Sequence, residues 1–375
     1  MPPGIGPYYL ALADALSRDV EDGRLAAGAR LPTHRELARR LRVNVGTVSR
    51  AYAEATRRGT VQGEVGRGTF VRGRRRSDAF GGPAGAVDLA FNIPYEVAAT
   101  PSLPGVLTEI AREVDPAVLF EGYQVAGLDA HRAAGAAWLS GAGLAVDPAR
   151  VLVTGGAQHA MAVVFATLAQ SSDVVLAEAL TYTGMKALAG TLGLRLLPVA
   201  CDAEGLDPDA FEAACRRHAP KALYTMPTLH NPTGAVLPLA RRRAVAEIAR
   251  RHGVAIVEDD TYGRLCPDAP PPLAALAPEL TYLLTSTSKS IAAGLRVGFL
   301  AASGASGAAR IVERLTASVV GLTWMSAPLT AEIAARWVRS GTALRILQVK
   351  SAECLARRAR ARAARATRGG SRGAS

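Results

Sequence analysis

Apolar positions recur at two spacings along this chain, and the change of spacing divides it. From Tyr8 to Glu21, Leu10, Ala13, Leu16 and Val20 fall on one helical face. Gly23 and Gly28 interrupt that pattern. Thr33 followed by Glu36 has the capping-box spacing and predicts a short helix over His34–Leu41. Asn44 then predicts the cap of a third helix, carrying Thr47, Val48, Tyr52 and Ala55 to about Arg58, with Gly59 as its stop. Thr60–Glu64 and Gly68–Val71 predict two short strands around the tight turn Gly66-Arg67-Gly68. From 151 onward, short apolar runs alternate mostly with helical stretches. These runs are VLVTGG (151–156), VVLAEA (174–179), LRLLPV (194–199), ALYTMP (222–227), VAIVED (254–259), YLLTST (282–287) and VGFLAA (297–302). Such a pattern implies an α/β fold with a mostly parallel sheet and helices on both faces.

Between the two patterns, GRRRSDAFGGPAGA (73–86) is basic, then Gly/Pro/Ala-rich, and predicts a linker. The expected organisation is a module over 1–72, the linker over 73–86, a large domain over 87–350 and an Arg/Ala-rich tail over 351–375 without fixed structure. A chain of 375 residues, 49% apolar and 20% charged, supports two or three domains and excludes global disorder. No stretch approaches ~18 uncharged apolar residues, which argues against a membrane-spanning helix. The N-terminus acquires acids within two dozen residues and lacks a basic start, unlike a secretory signal. Cys201, Cys215, Cys266 and Cys354 show no C-x-x-C spacing, and His131, His159, His218 and His252 show no ligand spacing. No metal site is expected, and a reducing cytoplasm fits.

Charge sharpens the division. The net charge is +12, but residues 1–76 hold 15 Arg against seven acids, while 77–349 are left at −3. A basic N-terminal module on a near-neutral body suggests a polyanion partner. Short helix, tight turn and longer helix is the helix-turn-helix order, and the third helix would enter the major groove. Asn44, Thr47 and Arg50 would lie nearest base edges. Arg35 would hold phosphate, and Gly66 and Arg67 would form a wing.

Ligands bind at the carboxyl ends of strands in sheets of this kind. Gly155-Gly156-Ala157-Gln158 follows the first run and opens a helix suited to phosphate. His230-Asn231-Pro232-Thr233-Gly234 follows the fourth. Glu258-Asp259-Asp260-Thr261-Tyr262 ends the fifth; adjacent acids there would suit a cationic ligand group. Ser286-Thr287-Ser288-Lys289-Ser290 follows the sixth, with Arg296 seven residues past Lys289. Only four lysines occur in the chain, and Lys289 alone sits in a hydroxyl-rich strand end. Amine, phosphate cradle, acid, hydrogen-bond donors and aromatic together match the needs of pyridoxal 5'-phosphate.

LPTHRELARRLRVNVGTVSRAYAEATRRGTVQGEVGRGTFV resembles the winged helix-turn-helix of the GntR family over about residues 8–72. Many members have arginine where this chain has Val45, and some have another at Ser49, so base readout here rests on fewer charged contacts. HNPTG, EDDTY, and STSK with GLR resemble fold-type I aminotransferases over roughly 87–350. That resemblance implies Lys289 as the Schiff-base lysine and Asp259 at the pyridine nitrogen. It implies Asn231 and Tyr262 at the phenolic oxygen and Tyr182 on the ring. Gly156, Ala157, Gln158, Ser286, Ser288 and Arg296 would hold the phosphate, and Tyr123 would reach a partner's phosphate across a dimer.

The combination resembles the MocR/GabR family of cytoplasmic bacterial regulators. It implies double-stranded DNA as partner, an amine or amino-acid effector, and a homodimer. An aminotransferase carrying a DNA-binding module, or a DNA-binding protein on a degenerate scaffold, remains open at this point. The resemblance also implies a C-terminal small domain with a carboxylate-gripping arginine. The residues after 350 match neither, so a truncated or frame-shifted chain is the expectation.

Overall fold

A computed structural model describes residues 7–21, 24–25, 28–58, 60–64, 68–71, 92–94, 102–304 and 306–369. The chain divides into two compact units, Met1–Asn92 and Ile93–Ser375. The linker expected over 73–86, with Gly66 and Arg67, lies outside the described residues.

In the first unit, α1 (Tyr8–Glu21), α2 (His34–Leu41) and α3 (Val45–Arg57) precede an antiparallel ribbon of β1 (Val61–Glu64) and β2 (Gly68–Val71). Thr33 Oγ1 accepts from the Glu36 N–H at 3.3 Å and caps α2. Asn44 Oδ1 accepts from the Gly46 N–H at 2.7 Å and caps α3. Each satisfies a helix-terminal donor that would otherwise lack a partner. Leu16, Ala38, Val48, Tyr52, Ala55, Val61 and Val71 form the core, and the Tyr52 hydroxyl donates to the Pro32 carbonyl at 2.9 Å.

The second unit opens with α4 (Leu103–Glu113), α5 (Pro116–Phe120) and α6 (Asp129–Ser140). There follow β3 (Val151–Thr154), α7 (Ala157–Leu168), β4 (Val174–Glu178), α8 (Thr183–Thr191), β5 (Arg195–Val199) and a small hairpin, β6 (Cys201–Asp202) with β7 (Gly205–Leu206). Then come α9 (Pro208–His218), β8 (Ala222–Thr225), α10 (Leu239–His252), β9 (Ala255–Asp259), α11 (Leu273–Leu276), β10 (Thr281–Ser286), α12 (Thr287–Ser290) and β11 (Gly298–Ala301). The helices α13 (Ala308–Thr323), α14 (Pro328–Arg339) and α15 (Thr342–Gly369) close the chain.

Among the described residues, seven strands form one sheet in the order β3-β11-β10-β9-β8-β4-β5. Only β11 runs against its neighbours. All seven apolar runs of the sequence become its strands. Side chains alternate between faces, as the strand period of two requires. Leu152, Val175, Tyr224, Val257 and Leu284 pack with α7, α8 and α13. Val151, Val153, Leu283 and Phe299 pack with α6, α14 and the start of α15, and Leu176, Leu223 and Ile256 with α9, α10 and α11.

One expectation is corrected. The tail from 351, expected without structure, continues α15 to Gly369. Alanine and arginine are strong helix formers, and Glu353 accepts from Arg357 one turn on at 2.6 Å. Composition bias at that segment reflects helix propensity.

Candidate cofactor site and DNA interface

The parallel strands end on one edge of the sheet, and the segments carrying the candidate residues all leave from it. β10 runs into Ser286, Ser288 and Lys289; β9 into Asp259 and Tyr262; β8 into the turn of Asn231; β4 into Tyr182. β3 lies beyond β11 but parallel to β10, so Gly155 and Gly156 emerge on the same edge.

Three segments meet in a cradle around Arg296. Arg296 donates to Ser288 Oγ at 3.3 Å and to the Gly155 carbonyl at 3.2 Å. Ser286 caps α12 and donates to Ser288 Oγ at 3.0 Å. Gly156 has φ +98°, and a Cβ there would stand 3.0 Å from Arg296 Nη2. Only glycine lets the guanidinium and the start of α7 share this space. Gly156 offers no side-chain cap, so the first N–H groups of α7 at Ala157 and Gln158 have no intrahelical partner. Gln158 Nε2 donates to the Gly184 carbonyl at 3.1 Å, while its buried Oε1 has no partner among the described residues.

The acids divide by their partners. Glu258 accepts from the Leu273 and Ala274 N–H groups at 2.9 and 2.8 Å. Buried Arg242 faces Glu258 and Asp260, and its guanidinium also ties the carbonyls of Pro227, Leu237, Pro270 and Pro271. Asp259 differs. It accepts from the Tyr224 hydroxyl at 2.9 Å and the Thr261 N–H at 3.0 Å, and no cationic side chain among the described residues pairs with it. Burial pushes its carboxyl above the usual range, and these hydrogen bonds offset part of that. A buried carboxylate with neutral partners calls for a cationic group.

Lys289 is half-buried, and burial holds its amine below the usual lysine range. Its Nζ stands 5.8 Å from the Tyr262 ring centroid. A depressed pKa enlarges the neutral fraction, which is the nucleophile toward a carbonyl. Tyr182 is half-buried at the start of α8, and Asn231 is half-buried beside Pro232. Tyr123 is 71% exposed and packs edge-on against Trp324 at 5.7 Å.

Sequence reasoning missed three supports. Tyr224 holds Asp259 from the next strand; a lone tyrosine in an aliphatic run was its signal. Arg242 clamps the chain before the HNPTG turn. His159 Nδ1 accepts from the Gly155 N–H at 2.9 Å and shapes the cradle from within α7.

In the smaller unit, Arg35, Asn44 and Arg50 are exposed and Thr47 is half-buried. Asn44, Thr47 and Arg50 thus share the outer side of α3, with Arg35 on neighbouring α2. Arg50 stands 5.6 Å over the Tyr9 ring.

Residues 8–71 match the model of bacterial regulatory proteins of the gntR family, and residues 85–365 match that of aminotransferase class I and II. The chain belongs to the aminotransferase class I and II family, with a GntR-family domain fused before it. This is the MocR-like architecture. It is 30% identical over 339 residues to the HTH-type transcriptional regulator YdeF of Bacillus subtilis, covering 89% of this chain and 72% of that one. It is 27% identical over 328 residues to the HTH-type regulator YjiR of Escherichia coli, covering 78% and 68%. Among solved structures it is similar to LysN, the alpha-aminoadipate aminotransferase of Thermus thermophilus, solved with N-(5'-phosphopyridoxyl)-L-leucine. That likeness has a TM-score of 0.62 and 28% identity, over 69% of this chain and 66% of that one. The chain thus spans just under two thirds of the length of that enzyme.

Aminotransferases of this family depend on pyridoxal phosphate, and the residues here fit it. The family member carries an amine at Lys289, a buried acid without a cation at Asp259, and a glycine-shaped cradle under Arg296. Among the described residues no helix is long and apolar enough to cross a membrane.

Proposed function

We propose that this chain is a transcription regulator that binds double-stranded DNA through its winged helix. Its sheet-edge site binds pyridoxal phosphate at Lys289 and senses an amino compound or the cofactor itself. Buried Asp259, whose partners Tyr224 and Thr261 are neutral, supports this most directly. The names of the regulators it resembles agree.

When bound, the cofactor supplies a carbonyl for amine exchange and a ring that accepts electrons. The chain's own residues do the rest. Asp259 would face the ring nitrogen and favour a proton there. Asn231 and Tyr262 would hold the phenolic oxygen, and Tyr182 would pack on the ring. Gly156, Ala157, Gln158, Ser286, Ser288 and Arg296 would hold the phosphate. Lys289, whose burial favours the neutral amine, would present Nζ as the nucleophile toward that carbonyl. In the DNA module, Arg35 holds phosphate, and Asn44, Thr47 and Arg50 face base edges.

The working form is a homodimer in the cytoplasm. Exposed Tyr123, Trp324 and Leu180 offer apolar surface for a second copy. A ligand changes DNA binding only through different affinity for two arrangements of the dimer. The test is DNA-binding anisotropy with and without pyridoxal phosphate and an amino donor. A shift in DNA affinity on adding ligand supports regulation. Unchanged DNA affinity with steady turnover of amino donor and keto acid favours the enzyme reading, which the complete set of cofactor-contact residues also fits.

A further inference from the structure

Two buried polar atoms face each other behind the cofactor site. β4 and β8 are neighbours, with Ala177 opposite Tyr224, so Glu178 at the end of β4 lies beside Thr225. Glu178 Oε1 accepts from Thr225 Oγ1 at 2.5 Å and from the Met226 N–H at 3.2 Å. Its other oxygen, Oε2, is buried with no hydrogen-bond partner among the described residues. His230 Nε2 is likewise buried without a hydrogen-bond partner, and lies 3.9 Å from that oxygen.

The local hydrogen bonds assign the imidazole tautomer. The Ala235 N–H donates to Thr233 Oγ1 at 3.2 Å, and that hydroxyl is hydrogen-bonded to His230 Nδ1 at 2.9 Å. The Thr233 N–H points at the same nitrogen at 3.4 Å. Nδ1 is therefore the acceptor, and the proton of the neutral ring sits on Nε2. A donor faces an acceptor across a gap about 1 Å too long for a hydrogen bond. The Leu180 carbonyl also faces the ring and favours its protonated form, although Nε2 has no hydrogen-bond partner among the described residues. A cavity of about 10 Å³, lined by Glu178, Thr225, Met226, Pro227 and His230 among others, borders the pair.

We propose that Glu178 and His230 are a positioning pair: Nε2–H of His230 donates to Glu178 Oε2. The contact ties the strand end that carries Tyr182 to the turn that carries Asn231. The pair touches no reacting atom. It rests on the proposal that Lys289, Asn231 and Tyr182 hold pyridoxal phosphate, and it fixes two of those residues relative to each other.

The contact depends on protonation. Burial pushes the Glu178 carboxyl up to about 7. Besides His230, the titratable groups facing it are Asp259 from β9 and the Tyr224 phenol from β8, whose proton is committed to Asp259. Burial holds His230 below the usual imidazole range, so it stays neutral near neutrality. Ionised Glu178 accepts at Oε2. Protonated Glu178 carries its proton on Oε2, because Oε1 already takes two donors, and the contact weakens. Cofactor binding therefore tightens as pH rises through about 7.

The test is an absorbance titration of the full chain with pyridoxal phosphate at a series of pH values, for wild type, Glu178→Gln and His230→Asn. Wild type gains roughly tenfold in affinity across that window, the scale of one hydrogen bond to a charged group. Both variants lose this step. In Glu178→Gln the amide oxygen must take the two Oε1 donors, which turns the NH₂ toward Nε2–H. A step of the same size in wild type and Glu178→Gln overturns the proposal. Nitrogen NMR of histidine-labelled, cofactor-free wild type gives a second readout. The expected His230 tautomer is Nε2–H, with a resonance that moves with a midpoint near 7. An Nδ1–H tautomer overturns the pair even if cofactor binds. Absence of any cofactor band at every pH contradicts the Lys289 reading, while the NMR still decides the pair.

Discussion

Arg35, Asn44 and Arg50 stand exposed in the N-terminal unit, while Glu178, Glu258, Asp259 and Asp260 in the larger unit are each at most 4% exposed. The two units hold their charge in opposite ways. An exposed arginine stays hydrated until a phosphate replaces water and counterion, so its folding cost is small and its binding is salt-sensitive. A buried carboxyl has already lost its water. It must be met by donors, by a cation, or by a proton. Glu258 and Asp260 have Arg242 facing them, and Glu178 takes the proton more readily, but the groups on Asp259 are neutral, Tyr224 and Thr261. The contrast separates a surface built to recruit a polyanion from a pocket left short of one positive charge.

The contrast can be broken at several places. Lys289→Ala should abolish the Schiff-base absorbance band outright while leaving DNA affinity of the cofactor-free chain within about twofold. Raising salt from about 50 to 200 mM should weaken DNA binding by roughly a thousandfold if six phosphates are contacted, as measured by anisotropy. Pyridoxal phosphate binding, with one anionic group, should change far less over the same range. Salt-independent DNA binding would remove the winged-helix interface from the account.

Smaller effects test the buried side. Glu178 titrates near 7 in the folded chain and at about 4.5 when exposed. A raised carboxyl pKa means that the native state binds the proton more tightly. The stabilisation is complete below about 4.5 and is lost as pH rises through about 7. Denaturant unfolding should therefore show stability falling by on the order of 3 kcal/mol across that window, and Glu178→Gln should flatten the curve. Tyr224→Phe removes a hydroxyl donor from Asp259 and should cost about 1.5–3 kcal/mol in the same measurement. Thr33→Ala removes the cap of α2 and should lower the stability of the DNA module by about 1 kcal/mol, with no change in the cofactor spectrum.

Legibility in the sequence followed range along the chain. The strands were readable because each is a short apolar run bounded by Gly, Pro or polar residues. Thr33 and Asn44 were readable because a cap acts two or three positions away. The strand-end motifs that would hold the cofactor were readable because strand order brings their ends together without needing exact distances. The partners behind them were not. Tyr224 meets Asp259 across 35 positions, and Glu178 meets Thr225 across 47, so no local pattern marks either pair. Arg242 sits within a run of three arginines, yet its side chain is fully buried. The tail misled through composition, since Ala/Arg bias suits a long helix as well as an unstructured segment.

The most direct measurement is the absorbance spectrum of the purified chain titrated with pyridoxal phosphate, beside Lys289→Ala. A saturable Schiff-base band in wild type that the variant lacks is the expected result. A band of equal size in both would place the carbonyl chemistry on another amine. No band in either would contradict the cofactor site and leave the DNA-binding module on a sheet that holds no pyridoxal phosphate.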